Sequence, residues 1–375
     1  MEVLTCSTIG GHILQASSSE AQLAPCNVGR IPARALSPKN RTSAISALVA
    51  VFLAIGGGRT FAHTLRVAAQ ENQQAAPPAV WFAPNMGSAD YAELFTAPDA
   101  WSATRARIGV FKFYTQNLRD APCTICGNNT LQTFIAVDAF RKLTKWGIAI
   151  AVEVPAVKPW GCGAKEANVV VSMLQVVARN GGDVAFLSMD EPLAGSQLLG
   201  PDAGHGCGFA RDQTTAAVVR YGQDIHARFP RIRIGEIEPY PFYSVEQLGE
   251  WVDSLRRAGF NPAFFHLDVD RNAVRVHHQD VVRDLKWLSQ FFAKRKIPFG
   301  VILWSPAKSD REFYESTLEW ARLVKSVLGK PDEIIFQNWA GVADAPHDIP
   351  TNMPTNDATF SHMRVIDEAL GVFNR

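Results

Sequence analysis

Residues 231–270 read RIRIGEIEPYPFYSVEQLGEWVDSLRRAGFNPAFFHLDVD. This stretch contains two short apolar segments, Arg231–Glu238 and Ala263–Asp270, and both end in acidic residues. Between them, Ser244–Gly259 has apolar residues at helical spacing and begins with Ser-Val-Glu-Gln, which is close to a capping box. A strand, a helix and a second strand in this order are typical of a parallel sheet.

The same unit recurs along the chain, because each of eight strand-like segments is followed by a helix-like stretch. Eight units predict an α/β fold, a closed (β/α)₈ TIM barrel that forms one domain over residues 79–375. In such a barrel the active site lies at the C-terminal ends of the strands, where this chain concentrates its acids. The predicted strands are Ala79–Asn85, Arg107–Gln116, Gly147–Val154, Val184–Glu191, Arg231–Glu238, Ala263–Asp270, Pro298–Ser305 and Glu333–Trp339.

Helical spacing and end signals predict the helices that separate these strands. Pro98 interrupts the first of them, somewhere within Ala89–Arg105. The segment Pro192–Arg211 is rich in glycine and has no predicted structure, so we expect it to be an active-site loop. The remaining predicted helices are Thr130–Trp146, Ala164–Asn180, Asp212–Phe229, Ser244–Gly259, Asp280–Arg295, Asp310–Leu328 and Asp357–Phe373.

Composition limits the class of partner. The chain has 375 residues, of which 47% are hydrophobic and 19% are charged, as expected for a protein with an ordinary globular core. The formal net charge is +1. This balance gives no electrostatic reason to expect nucleic acid or an anionic membrane as a partner.

The N-terminal region is typical of an exported protein. Lys39 and Arg41 precede the apolar run Ala44–Ile55, and small residues follow around Ala62. This order predicts an N-terminal extension and secretory signal over residues 1–62 and a flexible linker over residues 63–78, with a secreted or periplasmic mature chain. The apolar run is short for a membrane span, but an uncleaved N-terminal anchor is the alternative.

Four cysteines lie in segments that follow predicted strands 2, 3 and 4. Export permits disulfides, and the preferred pairing is Cys123 with Cys126 and Cys162 with Cys207. The first bond would close a tight local loop, and the second would join the loops of neighbouring units. The alternative is a zinc site that includes His205, which lies two residues before Cys207.

Alternation along the strands predicts which side chains enter the barrel. A charge that faced the helix layer would be buried without water or a partner, at a cost of several kcal/mol. We therefore expect the acids of strands 5 and 6 to point inward, together with polar and aromatic residues of the other strands. The predicted inward set is Lys112, Tyr114, Glu153, Asp190, Glu236, Glu238, His266, Asp268, Asp270, Trp304, Gln337 and Trp339.

Crowded carboxylates and aromatic side chains at a barrel mouth favour hydrolysis of a glycosidic bond. That reaction needs one protonated and one ionised carboxyl group, and it requires no cofactor or metal. Mutual repulsion between acids separates their pKa values and supplies both states. Aromatic faces suit the C–H faces of sugar rings, so we expect a carbohydrate substrate bound by the inward set.

A resemblance assigns one role. Met189-Asp190-Glu191-Pro192 resembles the Asn-Glu-Pro motif of the large clan of (β/α)₈-barrel glycoside hydrolases, in which the Glu that ends strand 4 is the general acid/base. The resemblance implies that role for Glu191. This chain departs from the motif at Asp190, where the clan has Asn. Its predicted strand 7 also carries no acid where the clan has its nucleophile. The second carboxylate is therefore expected to be Glu238 first and Asp268 second.

Simpler structural roles stand beside these assignments. Glu153 and Lys112 can form an ion pair inside the barrel, and His266 can be a hydrogen-bonded interior residue. Asp270 can cap the turn that follows it, and Trp304 can pack at the mouth. None of these roles requires a ligand.

Two other function classes also fit the sequence. The first is a divalent-metal enzyme of the sugar-isomerase type, with Glu236, Glu238, His266 and Asp268 as ligands. Export argues against it, because substrates of such enzymes are usually cytoplasmic. The second is a barrel that binds carbohydrate without catalysis, which the missing acid of strand 7 favours.

Overall fold

The computed structural model of the protein describes residues 79–120, 123–158, 164–197, 207–338, 350–354 and 360–374. The predictions made for the N-terminal extension, the signal and the linker therefore lie outside the described residues. The same holds for Cys162, His205 and Trp339.

Eight parallel strands form a closed barrel in chain order, and β8 pairs with β1. The barrel predicted from the sequence is confirmed. The observed strands fall within the predicted segments, except that β5 continues for two residues beyond Glu238. They are β1 Ala79–Ala83, β2 Val110–Tyr114, β3 Ala149–Val154, β4 Val184–Asp190, β5 Arg233–Tyr240, β6 Phe265–Val269, β7 Phe299–Leu303 and β8 Glu333–Gln337.

Helices connect these strands, and 3₁₀ segments lie at Pro98–Trp101 and Thr124–Cys126. The predicted helix Thr130–Trp146 is divided at Asp138, whose φ of 55° is left-handed. The capping box at Ser244 is confirmed. The α-helices are α1 Glu93–Thr96, α2 Ser102–Arg105, α3 Thr115–Leu118, α4 Leu131–Ala136, α5 Ala139–Trp146, α6 Ala164–Arg179, α7 Pro192–Gln197, α8 Arg211–His226, α9 Val245–Arg257, α10 Arg271–Val276, α11 Val281–Arg295, α12 Asp310–Leu328 and α13 His362–Asn374.

The apolar core has two layers, one between strands and helices and one inside the barrel. Within the barrel, the Trp81 ring lies 4.9 Å from that of Phe186 and 5.1 Å from that of Phe264. These side chains fill much of the interior below the mouth, and His266, which pairs with Glu333, packs beside them.

The alternation of β5 is opposite to the one predicted. Ile237 belongs to the apolar cluster inside the barrel, whereas Ile232 and Ile234 pack in the layer between strands and helices. Gly235 also faces inward, and a Cβ at that position would lie 2.5 Å from atoms of the Phe264 ring. The large Phe264 ring thus requires the glycine to face it.

Consequently Glu236 and Glu238 point away from the barrel interior, and their predicted inward orientation is wrong. Glu236 Oε2 accepts a hydrogen bond of 2.8 Å from Nε1 of Trp251 on α9. Glu238 accepts the backbone N–H groups of Leu193 at 2.7 Å and of Ala194 at 3.2 Å, both on α7. The premise that such acids would lack partners in the helix layer failed because distant residues supply donors.

The cysteine predictions are confirmed in part. Cys123 and Cys126 form a disulfide. Cys207 is also disulfide-bonded, but its predicted partner Cys162 lies outside the described residues, so that pairing stays a prediction. Disulfide sulfurs are not available as thiolate ligands, which contradicts the zinc alternative at Cys207. Over the described ranges, moreover, no helix combines the length and the apolar character that crossing a membrane requires.

Candidate active site

A buried ammonium group anchors one side of the barrel mouth. Lys112 on β2 has no exposed surface, and its Nζ lies 2.5 Å from Glu153 Oε2 and 2.5 Å from Gln337 Oε1. Gln337 also donates from Nε2 to the same Glu153 oxygen at 2.9 Å. Burial raises the pKa of Glu153, and the charge of Lys112 opposes that rise. The internal ion pair considered for these two residues is confirmed.

A second ammonium group holds both acids that end β4. Lys158 Nζ lies 3.0 Å from Asp190 Oδ2 and 3.1 Å from Glu191 Oε2. Burial disfavours the charge on Lys158, but the two carboxylates outweigh burial and raise its pKa, so it stays protonated. Burial raises the pKa of Glu191, with Lys158 opposing and Asp190 adding to the rise.

Asp268 on β6 is the acid of this region that does not contact an ammonium group in the described structure. Its Oδ1 accepts a hydrogen bond of 2.6 Å from Nε1 of Trp304, whose carbonyl in turn accepts from Arg271 at 2.9 Å. Burial raises the pKa of Asp268 well above its usual value, and the negative charges of Glu191 and Glu153 raise it further. These contributions favour the protonated form of Asp268.

Two hydroxyl groups complete the described part of the mouth. Tyr114 Oη donates to the carbonyl oxygen of Asn338 at 3.3 Å, and burial raises the pKa of this tyrosine. Ser188 is fully buried on β4, opposite Glu153 in the β3–β4 register, and its Oγ has no hydrogen-bond partner among the described residues. Such a hydroxyl is suited to contact water or a ligand in the barrel.

His266 lies one inward position before Asp268 and takes no part in the mouth. Its Nε2 lies 2.7 Å from Glu333 Oε2, and its ring packs 4.8 Å from Trp81 and 4.5 Å from Phe264. Burial lowers its pKa, which favours the neutral ring. The interpretation of His266 as a hydrogen-bonded interior residue is confirmed.

The structure thus divides the predicted site residues into two groups. Glu236 and Glu238 face the helix layer, His266 lies deeper, and Asp270 caps α10 by accepting from the backbone N–H groups of Asn272 and Ala273. Trp339 lies outside the described residues. The residues that converge on the mouth are Lys112, Tyr114, Glu153, Asp190, Glu191, Asp268, Trp304 and Gln337.

Sequence reasoning missed Lys158 and Ser188. Lys158 is the one cation in the segment of residues 155–158 that follows β3, and a lysine there can reach the mouth. Ser188 occupies the inward position before Asp190 and could have been found by alternation. Both signals are present in the sequence.

The metal-isomerase alternative required Glu236, Glu238, His266 and Asp268 to converge, and the structure separates them. Across the described ranges, no group of three or more His, Cys, Asp or Glu residues is arranged to hold a metal ion. The acids of the mouth are instead bonded to Lys112, Lys158 and Trp304. What this arrangement can do chemically is bind polar groups and transfer protons.

Comparison with known proteins adds only distant similarities. No family model matches the chain, and no curated protein matches it. Among solved structures, the chain is similar to QR15, an aldolase, with 11% identity over 71% of this chain and 90% of that one, at a TM-score of 0.39. It is also similar to 7,8-dihydropteroate synthase from Vibrio fischeri ES114, with 10% identity over 80% and 94% of the two chains and a TM-score of 0.41.

A third similar structure is a putative phosphonomutase from Burkholderia cenocepacia J2315, with 11% identity over 69% of this chain and 87% of that one and a TM-score of 0.38. Similarity at this level assigns no reaction or substrate to this chain. None of the three is described as a glycoside hydrolase.

The prediction of a glycoside hydrolase is therefore corrected. The similar structures are an aldolase, a synthase and a phosphonomutase. In addition, the first choice for the ionised partner, Glu238, is bonded to the backbone of α7 outside the barrel interior. The resemblance at Asp190-Glu191-Pro192 is confined to three residues at the end of β4.

Proposed function

We propose that this chain is a barrel enzyme of the lyase or isomerase type that transfers a proton within a small, uncharged hydroxycarbonyl compound. Asp268 is the acid, and the pair Asp190 and Glu191, held by Lys158, supplies the base. One observation carries the proposal. Asp190 and Glu191 both contact the ammonium group of Lys158, whereas Asp268 contacts no ammonium group among the described residues.

The two environments differ in whether an ammonium group contacts the acid. Burial and the charge of Glu191 favour the protonated form of Asp268. Lys158 contacts both Asp190 and Glu191, and its charge opposes the rise that burial causes in the pKa of Glu191. Titratable groups whose environments separate their pKa values are the usual acid and base of a proton-transfer site. Positioned groups of this kind contribute about 10²–10⁴ in rate.

The step balances with these groups alone. The ionised carboxylate removes a proton from the carbon next to the substrate carbonyl, and the C–H electron pair forms a carbon–carbon double bond. The carbonyl electrons move to oxygen, which receives the proton of Asp268. In the second half, the other hydroxyl of the resulting enediol gives its proton back to Asp268 as its oxygen becomes the new carbonyl, and the protonated base delivers its proton to the former carbonyl carbon. This completes an isomerisation and restores both acids, and Lys112 and Lys158 stabilise negative charge that develops nearby.

The charge of the mouth supports an uncharged substrate. Four acids, Glu153, Asp190, Glu191 and Asp268, lie with two ammonium groups, so the region is negative whether Asp268 is ionised or protonated. An anionic substrate would be repelled by it. Hydroxyl groups, in contrast, can donate hydrogen bonds to carboxylates and accept them from lysine and glutamine.

Export is a second part of the proposal. It rests on the signal-like series at residues 39–62, and the Cys123–Cys126 disulfide supports it because such bonds persist in oxidising compartments. Sequencing the N-terminus of protein recovered outside the cytoplasm tests this part. A chain that starts at Met1 in the cytoplasm would contradict it.

A barrel that binds hydroxylated compounds without catalysis is the second candidate. It is favoured because each acid of the mouth already has a partner within the protein, Glu153 with Lys112, Asp190 and Glu191 with Lys158, and Asp268 with Trp304. Such pairing suits a rigid binding surface as well as a proton-transfer site.

Exchange of substrate hydrogen with solvent distinguishes the two candidates. The protein is incubated in D₂O with a panel of uncharged aldoses, ketoses and hydroxyketones, and C–H signals are followed by NMR. We expect exchange at the carbon next to the carbonyl, reduced about 10²–10⁴ fold in Asp268→Asn and in Glu191→Gln. Glu250→Gln is the control, since Glu250 belongs to an exposed ion pair with Arg211.

Two results of this experiment would count against the first candidate. Exchange that persists in both mouth variants would contradict the assigned roles. Saturable binding of a compound with no exchange in the wild-type protein would favour the second candidate.

A further inference from the structure

A cleft of about 350 Å³ opens at the N-terminal end of the barrel, between the starts of β4 and β5. Its walls include the C-terminal part of α6 and the connection from α8 to β5. The mouth lies at the other end of these strands, where β4 ends in Asp190. The cleft is therefore separate from the candidate active site.

Three arginines line this cleft, namely Arg228, Arg231 and Arg233, and all three are exposed. The one acid among the lining residues is Asp183, so full ionisation gives the lining a net charge of +2 from three guanidinium groups and one carboxylate. Within the described ranges, none of the three arginines forms an ion pair with a carboxylate. Their donors are thus available to a ligand.

The arginines project from a connection that is held in place by its own hydrogen bonds. Nε2–H of His226 donates to the Ile232 carbonyl at 2.9 Å, and the backbone N–H of Phe229 donates to the Ile225 carbonyl at 2.8 Å. The guanidinium carbon of Arg233 lies 3.8 Å from the centroid of the Phe186 ring. A cation on a buried aromatic face is attracted to the ring quadrupole, which fixes its position.

The remaining lining is apolar. Leu174, Ala178, Phe229 and Ile232 contribute to the walls beside the arginines. Ligand-binding clefts commonly have volumes of about 300–1,000 Å³ and combine apolar walls with a few converging polar groups. A cleft of this size fits a small molecule better than an extended polymer.

We propose that this cleft binds a small organic anion in which a phosphate group is joined to a planar, apolar body. The guanidinium fork matches phosphate oxygens in a bidentate geometry. The planar body would lie against Phe229 and the faces of the guanidinium groups. The site does not depend on the reaction proposed for the mouth, because no residue is shared between them.

Calorimetric titration of the full chain with three probes tests this site. The probes are adenosine 5′-monophosphate, adenosine and inorganic phosphate, each at low and at high salt. We expect the monophosphate to bind best, inorganic phosphate more weakly and adenosine least, with weaker binding of the anions at high salt. Inorganic phosphate binding as tightly as the monophosphate would show that a free phosphate site is present, and would overturn the assignment of a planar body.

Substitutions locate the binding. Arg228→Gln and Arg231→Gln should each weaken monophosphate binding by roughly tenfold or more, because hydrogen bonds to charged groups are strong. Arg220→Gln on α8 is the matched control, since Arg220 is exposed on the adjoining helix and does not line the cleft. Circular dichroism of each variant verifies folding.

Two results would overturn the proposal. The first is no saturable binding of either anion at low salt. The second is binding that survives the double variant Arg228→Gln/Arg231→Gln, or that Arg220→Gln weakens equally. Binding abolished by Asp268→Asn but not by the arginine variants would place the probe at the mouth and would also overturn it.

Discussion

Lys158 Nζ lies 3.1 Å from Oε2 of Glu191, and the backbone of Glu191 has a left-handed φ of 51°. Neighbouring residues of a strand normally point to opposite faces of the sheet. The left-handed conformation at Glu191 turns the chain so that this side chain reaches the same ammonium as Asp190.

Backbone strain at Glu191 predicts an unusual order of stabilities. A residue other than glycine in the left-handed region costs about 1 kcal/mol, and both Glu191→Gly and Glu191→Ala lose the contact with Lys158. We expect the glycine variant to be more stable than the alanine variant by about 1 kcal/mol in urea unfolding. At Glu250, inside helix α9, the order should be reversed by a similar amount. If the glycine and alanine variants have the same order of stability at Glu191 and at Glu250, the backbone of Glu191 is not strained as described.

A structural role for Glu238 predicts a contrast with Asp268. Glu238→Gln should lower the free energy of unfolding by about 1–3 kcal/mol, because an amide cannot accept both N–H groups of Leu193 and Ala194. Asp268→Asn should change it by less than about 1 kcal/mol, since the amide oxygen can still accept from Trp304. Chemical unfolding of both variants measures the contrast, and equal destabilisation would speak against the assigned roles.

The barrel could be predicted from the sequence because it depends on local patterns. Strand and helix periodicity, repeated eight times, specifies the order of elements, and the inward residues of β2, β3, β6 and β8 followed from alternation. Helix ends were predicted where a capping side chain is local, as at Ser244 and Asp280. These signals do not require knowledge of distant contacts.

The orientation of β5 could not be obtained in this way. Both faces of Arg233–Tyr240 contain apolar residues, and the choice between them depends on Phe264 facing Gly235 and on Trp251 facing Glu236. Those contacts join residues of different elements. An isolated glycine in a strand indicates a close approach, and weighing Gly235 would have favoured the observed face.

Burial of Glu236 predicts a pH dependence of stability. Burial raises its pKa to about 8, although the hydrogen bond from Trp251 opposes the rise. The stabilisation linked to the protonated form is therefore complete below the unfolded pKa of about 4.3, and it is lost progressively as pH rises to about 8. Glu236→Gln removes this titration. Its free energy of unfolding, relative to that of the wild-type protein, should therefore rise by about 1–3 kcal/mol between pH 5 and pH 8.

Unfolding in guanidinium chloride at both pH values measures this difference. Burial and the charge of Glu236 both raise the pKa of Glu238, so the difference between variant and wild type reports Glu236 together with its effect on Glu238. A constant difference at pH 5 and pH 8 would show that Glu236 does not titrate in this range.

The pairing of Cys207 is a separate prediction. We expect a digest of the non-reduced protein to contain a peptide that links Cys162 to Cys207, besides the bridge between Cys123 and Cys126. Cys207→Ser should lower the free energy of unfolding by roughly 2–4 kcal/mol, because the bond would close a long loop. Mass spectrometry decides the pairing, and a linked peptide that joins Cys207 to another cysteine would refute it.

The pair of Lys112 and Glu153 is expected to be strongly coupled. Lys112→Met leaves the half-buried carboxylate of Glu153 without its ammonium partner, which should cost about 3–5 kcal/mol. The double variant Lys112→Met/Glu153→Gln contains no unpaired charge at this place, so it should be less destabilised than the sum of the two single variants. We expect a coupling energy of about 1–3 kcal/mol from a double-mutant cycle in urea.

The exposed pair of Arg311 and Glu315 on α12 is the matched control, because its charged atoms lie 3.9 Å apart in contact with solvent. Its coupling energy should stay below about 0.5 kcal/mol, since solvent screens the charges and the side chains lose entropy when they pair. Salt should reduce the coupling of Arg311 and Glu315 but leave most of the coupling of Lys112 and Glu153, because buried charges are screened less. Equal coupling energies for the two pairs would mean that Lys112 and Glu153 interact as weakly as surface charges do. The attraction between Lys112 and Glu153 would then not stabilise the arrangement that these residues form with Gln337.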